Sequence, residues 1–134
     1  MGSVPRHILV VDDEPHIGVL LRLHFEHRGY RLSLAKNLAE ARQALAAARP
    51  DALLLDLHLP DGLGLELLDE LRRDAATRTL PVLVLTGAGD EALLRETGRL
   101  GATVLTKPFS PSKLTMRVGT MLGEPPDAAV GDLA

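Results

Sequence analysis

The chain has 134 residues, of which 46% are hydrophobic and only 2% aromatic, and its formal net charge is -3 at pH 7. This length suits one domain with a single core, and the scarcity of aromatic residues together with the lack of basic clusters argues against direct nucleic acid binding. The absence of cysteine excludes disulfides and thiolate metal sites. No apolar run approaches membrane-spanning length and the first residues lack a signal peptide's apolar core, so we expect a soluble cytoplasmic protein that binds no membrane.

Apolar runs typical of strands alternate with helical periodicity along the chain. In chain order, strands are predicted at residues 8–11, 30–35, 52–55, 81–85 and 103–106. Helices are predicted from Pro15 to Gly29, from Asn37 to Pro50, from Leu63 to Arg73, from Asp90 to about Leu100 and from Ser110 to Leu122. Asn37 and Glu40 resemble a capping box at the start of the second helix. This alternation predicts right-handed crossovers and an α/β fold whose parallel sheet has helices on both faces.

Polar side chains directly follow four of the predicted strands. Asp12 and Asp13 follow the first strand, Asp56 the third, Thr86 the fourth and Lys107 the fifth. Taken singly, each is more typical of a helix cap, a turn or a solvated surface. Because the carboxyl ends of parallel strands share one edge, we expect these five residues to meet in the crevice where open α/β sheets bind ligands.

This combination of side chains indicates phosphate chemistry. Converging carboxylates repel one another, and a bound divalent cation with oxygen ligands, usually Mg²⁺ beside phosphate, offsets that cost. A lysine and a hydroxyl opposite the carboxylates can hold a dianionic group. The residues therefore suit a phosphorylated aspartate.

The same residues lie in four motifs that resemble a known family. The motifs are Val11-Asp12-Asp13-Glu14, Leu55-Asp56-Leu57-His58-Leu59-Pro60, Leu85-Thr86-Gly87 and Thr106-Lys107-Pro108-Phe109. In this order and spacing they resemble the receiver domain of two-component response regulators. The resemblance covers residues 7–122, and we interpret residues 123–134 as a tail or the start of a linker.

The resemblance implies a fold and a role for each site residue. The fold is a flavodoxin-like five-stranded parallel sheet of order 2-1-3-4-5 with five helices on both faces, and with a cis peptide between Lys107 and Pro108. The implied phosphoacceptor is Asp56, and Thr86 and Lys107 contact the phosphoryl oxygens. The implied Mg²⁺ ligands are Asp13, Asp56, the backbone carbonyl of His58 and, through a coordinated water, Asp12.

The resemblance also implies partners. A histidine kinase, a phosphotransfer protein or a small phosphodonor supplies the phosphoryl group, and an output domain or partner protein of unknown identity reads the result. Such a domain partly catalyses its own phosphorylation and dephosphorylation without being a conventional enzyme. We expect the output at the face formed by the fourth helix, fifth strand and fifth helix.

Three features depart from the family pattern. Val104 stands where the family usually has an aromatic switch residue, so the inward turn of a ring cannot transmit the signal. Leu63 stands where an aspartate often precedes Gly64. Residues 101–106 are one residue shorter than the common form and lack its acidic pair, so we do not expect the dimer of the winged-helix class.

Alternatives from other classes stay open. A haloacid-dehalogenase-like phosphatase also forms an aspartyl phosphate, but its nucleophile ends the first strand in an Asp-x-Asp pattern that this chain lacks. A non-phosphorylated pseudo-receiver would be a pure interaction module, although such a module has no physical need for all five polar residues. After Leu122 no helix-turn-helix or second catalytic core fits, so we expect either a single-domain regulator or the receiver part of a longer protein.

Overall fold

The computed structural model describes residues 5–87 and 91–123 of the chain. The strands are β1 (His7–Val11), β2 (Arg31–Ala35), β3 (Ala52–Asp56), β4 (His58–Leu59), β5 (Gly62–Leu63), β6 (Val82–Thr86) and β7 (Thr103–Thr106). The helices are α1 (Pro15–His27), α2 (Leu38–Ala47), α3 (Gly64–Arg73), α4 (Glu91–Arg99) and α5 (Pro111–Met121). Asp90, the predicted cap of the fourth helix, and residues 124–134 of the predicted tail lie outside the described residues.

The longer strands form one parallel sheet in the order β2-β1-β3-β6-β7. This order confirms the predicted 2-1-3-4-5 once the two-residue strands β4 and β5 are set aside, since these pair with each other as an antiparallel hairpin. The sequence did not predict the hairpin, because strands of two residues are too short to have a hydrophobic period. The carboxyl ends of the parallel strands lie at one edge of the sheet.

The central strands are buried on both faces because helices cover the sheet from both sides. Every residue of β3 and of β6 is buried. On one side, α2 and α3 contribute Leu38 and Leu68 to the core, and on the other side α1 and α5 contribute Leu21 and Leu114. Among the described residues, no helix combines the length and apolar character needed to cross a bilayer.

Local features mark the start of α2 and the end of α1. The side chain of Asn37 accepts the Glu40 N–H at 2.8 Å, as a capping box requires. The Glu40 carboxylate, however, accepts the N–H of Lys36 and not that of Asn37, so only half of the predicted capping box forms. Gly29 follows α1 with a φ of 87°, a conformation that favours glycine and ends the helix.

At the opposite end of the sheet from the strand carboxyl termini, one arginine joins several segments. The Arg72 guanidinium donates to the carbonyl oxygens of Leu100 at 2.6 Å and of Leu80 at 2.8 Å. It also reaches further carbonyl oxygens at 3.2, 3.4 and 3.5 Å. Arg72 therefore ties the ends of α3 and α4 to the segment that enters β6.

Candidate functional site

Three carboxylates meet at the carboxyl edge of the sheet. Asp12 and Asp13 follow β1, and Asp56 is the last residue of β3, which pairs with β1. One oxygen from each of the three carboxylates lies within 4.8 Å of the other two. Asp12 and Asp56 are buried, whereas Asp13 is exposed. Like charges this close, and partly removed from water, repel one another unless a cation lies among them.

The ammonium group of Lys107 provides such a cation. Lys107 follows β7, and its backbone N–H donates to the carbonyl oxygen of Thr86 at 2.7 Å. Its Nζ atom lies 3.1 Å from Oδ2 of Asp56, 3.2 Å from Oδ2 of Asp12 and 3.6 Å from Oε1 of Glu14. The single positive charge of Lys107 thus faces the carboxylates of Asp12, Glu14 and Asp56. The net charge of this cluster is therefore negative.

Burial and neighbouring charges shift two pKa values in this cluster. Burial raises the pKa of the Asp12 carboxyl above its ordinary value, and hydrogen bonds from the Glu14 N–H and Lys107 offset only part of that rise. Burial by itself would lower the pKa of Lys107, but the hydrogen bond and charge of Asp56 and the charge of Asp12 outweigh it, so the pKa is raised. Lys107 therefore stays charged at neutral pH.

Thr86 and His58 lie beside the carboxylate cluster. Thr86 is the buried last residue of β6, one residue beyond Leu85, which pairs with Asp56 across the sheet. The backbone N–H of His58 donates to Oδ1 of Asp56 at 3.1 Å, while its side chain is exposed. The roles of the Thr86 hydroxyl and of the His58 carbonyl oxygen stay predictions.

Backbone geometry brings the start of α3 close to the end of β3. The N–H of Gly64 donates to the carbonyl oxygen of Leu57 at 2.8 Å. A Cβ atom on Gly64 would lie 2.2 Å from the carbonyl oxygen of Asp56, so only glycine allows this approach. The peptide bond between Lys107 and Pro108 is cis, as the resemblance implied.

Two residues at or beside the site were not predicted. Glu14 contacts Lys107, and the run of acidic residues after the first strand was a sequence signal that could have indicated it. The carboxylate of Asp61 accepts the N–H groups of Leu38 at 2.8 Å and of Ala39 at 3.1 Å. These partners lie 23 and 22 residues earlier in the chain, so no local pattern reveals the contact.

The donor atoms of the cluster fit a hard divalent cation. Asp12, Asp13 and Asp56 offer only carboxylate oxygens, which are the ligands that Mg²⁺ and Ca²⁺ prefer. Burial is the main cause of the raised pKa of Asp12 and the charge of Asp56 adds to it, and a divalent ion would stabilise the charged form of this carboxyl against both. These residues could therefore hold Mg²⁺ at the edge of the sheet.

Comparison with known proteins places this arrangement among signalling domains. Residues 8–119 match the family model of the response regulator receiver domain. The chain is 37% identical over 120 residues to the phosphate regulon transcriptional regulatory protein PhoB of Pseudomonas aeruginosa, and 38% identical over 116 residues to the transcriptional regulatory protein ResD of Bacillus subtilis. These alignments cover 89% and 86% of this chain but 52% and 47% of the two relatives. The chain thus spans about half the length of the curated relatives it matches.

Solved structures share the fold over most of the chain. A signal receiver domain of a signal transduction histidine kinase from Syntrophus aciditrophicus has a TM-score of 0.81 at 30% identity, covering 88% of this chain and 90% of that one. The chemotaxis protein CheY4 of Vibrio cholerae has a TM-score of 0.81 at 27% identity, covering 88% of this chain and 99% of that one.

Proposed function

Since the chain belongs to the response regulator receiver domain family, we propose that Asp56 is a phosphoacceptor that takes a phosphoryl group in the presence of Mg²⁺ and thereby switches an output face. The observation that carries this proposal is the cluster at the carboxyl edge of the sheet. There the carboxylates of Asp12, Asp13 and Asp56 converge, and Lys107 lies 3.1 Å from the proposed nucleophile.

In the proposed reaction, a carboxylate oxygen of Asp56 attacks phosphorus in line with the leaving group. A new O–P bond forms while the bond from phosphorus to the donor breaks, and the electron pair of that bond leaves with the donor. The donor atom is a nitrogen of phosphohistidine or an oxygen of a small acyl phosphate. Later attack of water on phosphorus returns Asp56 as a free carboxylate and releases inorganic phosphate.

The chain's own polar groups have separate parts in this reaction. Lys107 neutralises charge on the phosphoryl oxygens, and the Thr86 hydroxyl donates a hydrogen bond to one of them. The His58 N–H, 3.1 Å from Oδ1, orients the Asp56 carboxylate. Asp13, Asp56 and the His58 carbonyl oxygen would hold Mg²⁺, with Asp12 helping through a water, and the bound ion would supply further neutralisation of the phosphoryl charge.

Phosphorylation of Asp56 adds negative charge and acceptor oxygens beside Thr86 and Lys107. Thr86 ends β6 and Lys107 follows β7, and their backbones are already joined by a hydrogen bond of 2.7 Å. A pull on both would move the loops after the two strands and change the face formed by α4, β7 and α5. Val104, partly buried against the core, offers no ring for this motion, so the change travels through the backbone.

The proposal includes the partners and the location. The donor is a histidine kinase or a phosphotransfer protein, and an output domain or partner protein reads the switched face; neither nucleic acid nor a membrane binds this segment directly. A cytoplasmic location fits a chain without cysteine. The chain is not a conventional enzyme, because the phosphoryl group stays on its own side chain until hydrolysis. Residues 7–122 form the receiver domain, and 123–134 a tail or linker.

Intact-mass measurement after incubation with Mg²⁺ and acetyl phosphate or phosphoramidate tests this proposal. We expect one added phosphoryl group in the wild type, none in Asp56→Asn and none when a chelator removes the metal. Asp69→Asn is the matched control, because it is the same substitution on α3, where Asp69 pairs with the exposed Arg73. If no donor phosphorylates the wild type, the proposal fails and a pseudo-receiver takes its place.

A further inference from the structure

We propose that Asp61 is a positioning residue for phosphotransfer, because it fastens the β4–β5 hairpin to the start of α2 and so holds the His58 backbone beside Asp56. This inference rests on the proposed function of Asp56. It assigns a role to a residue whose partners are distant in sequence and which does not itself reach the carboxylate cluster.

Asp61 lies at the tip of the hairpin, between β4 and β5. Its two carboxylate oxygens accept the N–H groups of Leu38 and Ala39, the first two residues of α2, at 2.8 and 3.1 Å. These N–H groups have no acceptor within the helix, and a negative charge is favoured at a helix amino terminus. The hydrogen bond from Leu38 and the weaker one from Ala39 hold the pKa of Asp61 below its ordinary value, so the carboxylate is charged at neutral pH.

The start of α2 therefore has two separate caps. The local cap is Asn37, whose side chain accepts the N–H of Glu40. The other cap, Asp61, comes from the hairpin. Only the second connects the helix to the segment that follows the proposed phosphoacceptor.

Close packing at the neighbouring residue reinforces the contact. Gly62 has a φ of 151°, and a Cβ atom there would lie 2.8 Å from Cδ1 of Leu38. The hairpin itself pairs only His58 with Leu63 and Leu59 with Gly62. A ribbon this short is not stable by itself, so its orientation depends on what holds its two ends.

The base of the hairpin is held at the site. There the N–H of His58 donates to Oδ1 of Asp56, and the N–H of Gly64 donates to the carbonyl oxygen of Leu57. With the base held at β3 and the tip held by Asp61 on α2, the peptide groups of His58 have a fixed direction. Release of the tip would let the His58 N–H and carbonyl swing away from Asp56.

Linkage makes the effect reciprocal. If the anchored tip also stabilises the phosphorylated state at equilibrium, phosphorylation must in turn stabilise the anchored tip. The N–H groups of Leu38 and Ala39 should then exchange more slowly with solvent after phosphorylation. The effect of phosphorylation would thus reach α2 through the β4–β5 hairpin and would not depend on the residue at position 104.

A comparison of Asp61→Ala with Asn37→Ala tests the inference in the full chain. Both variants remove a cap from the start of α2, but only Asp61→Ala frees the hairpin. By NMR, we expect solvent exchange of the His58 amide in the unphosphorylated protein to rise about ten-fold in Asp61→Ala and to stay within about two-fold of wild type in Asn37→Ala. We expect the phosphorylation rate with acetyl phosphate and Mg²⁺ to fall roughly ten-fold in Asp61→Ala only, as for other residues that orient a ligand.

The outcomes separate positioning from simple capping. Equal effects of the two variants, or an unchanged His58 exchange rate in Asp61→Ala, would mean that Asp61 is only a helix cap, and the inference would be overturned. Asp61→Asn keeps one acceptor oxygen, so its His58 amide should exchange at a rate between those of wild type and Asp61→Ala. This variant replaces Asp61→Ala in the test if Asp61→Ala does not fold. A wild type that accepts no phosphoryl group would refute the proposed function, while the His58 exchange rates would still decide whether Asp61 orients the hairpin.

Discussion

Replacing Arg72 with alanine should destabilise the protein far more than the same change at its neighbour. The guanidinium is partly buried and donates to the carbonyl oxygens of Leu100 at 2.6 Å and Leu80 at 2.8 Å, with longer contacts to others. A hydrogen bond from a charged donor contributes about 1.5–3 kcal/mol, and some of the freed carbonyls will regain water. We therefore expect Arg72→Ala to lower the free energy of unfolding by about 2–4 kcal/mol.

Urea unfolding followed by far-UV circular dichroism measures this difference, and Arg73→Ala is the matched control. Arg73 pairs with Asp69, and its side chain is 78% exposed, so its loss should change the free energy of unfolding by less than about 0.5 kcal/mol. If Arg72→Ala were no less stable than Arg73→Ala, the bonds to the carbonyl groups would contribute nothing net, and the reasoning would be refuted.

Two further predictions concern a close approach at the site and the effect of pH. Gly64→Ala should cost roughly 2 kcal/mol or more, because its Cβ atom would meet the carbonyl oxygen of Asp56 at 2.2 Å, whereas Gly98→Ala, with open space around it in α4, should stabilise the protein by about 0.5–1 kcal/mol. Urea unfolding measures the free energy of unfolding of both variants. A Gly64→Ala protein more stable than Gly98→Ala would contradict this prediction. Burial and the charge of Arg31 lower the pKa of His7, so the unfolded chain binds the proton more readily and stability should fall as pH drops below about 6.5. Unfolding between about pH 7.5 and 5 should show a steeper loss in wild type than in His7→Gln, and parallel curves would exclude this role of His7.

The alternation of apolar runs and helical periods was sufficient to predict the parallel sheet and its helices. The strand order came from the resemblance and is confirmed, and the rule that parallel strands end at one edge correctly predicted that Asp12, Asp13, Asp56 and Lys107 lie together. The predictions of the elements and of the cluster succeeded because they depend on patterns within single segments and on the shared direction of parallel strands. The hairpin was missed because its strands are two residues long.

Contacts between segments distant in the chain could not be predicted in this way. Arg72 and Arg73 are identical neighbours in the sequence, and only the tertiary structure separates a residue that binds several carbonyl groups from one on the surface. Asp61 follows Pro60 like an ordinary turn residue. Its partners, however, are the first two residues of α2, a helix that precedes β3 in the chain. Which charged residue acts in such a contact depends on packing, and one sequence does not contain that information.

The two layers of the core differ in what a spectrometer can detect. Tyr30 and Phe25 pack edge to face with ring centroids 5.3 Å apart, and Phe109 packs against the same cluster on the α1 and α5 side of the sheet. Because the chain has one tyrosine, two phenylalanines and no tryptophan, intrinsic fluorescence and near-ultraviolet dichroism report on that layer alone. The core layer of α2 and α3 consists of aliphatic side chains and gives neither signal. Since the chain has no cysteine, a single cysteine introduced there could carry a dye without background labelling, and the two sides of the sheet could be followed independently in one unfolding experiment.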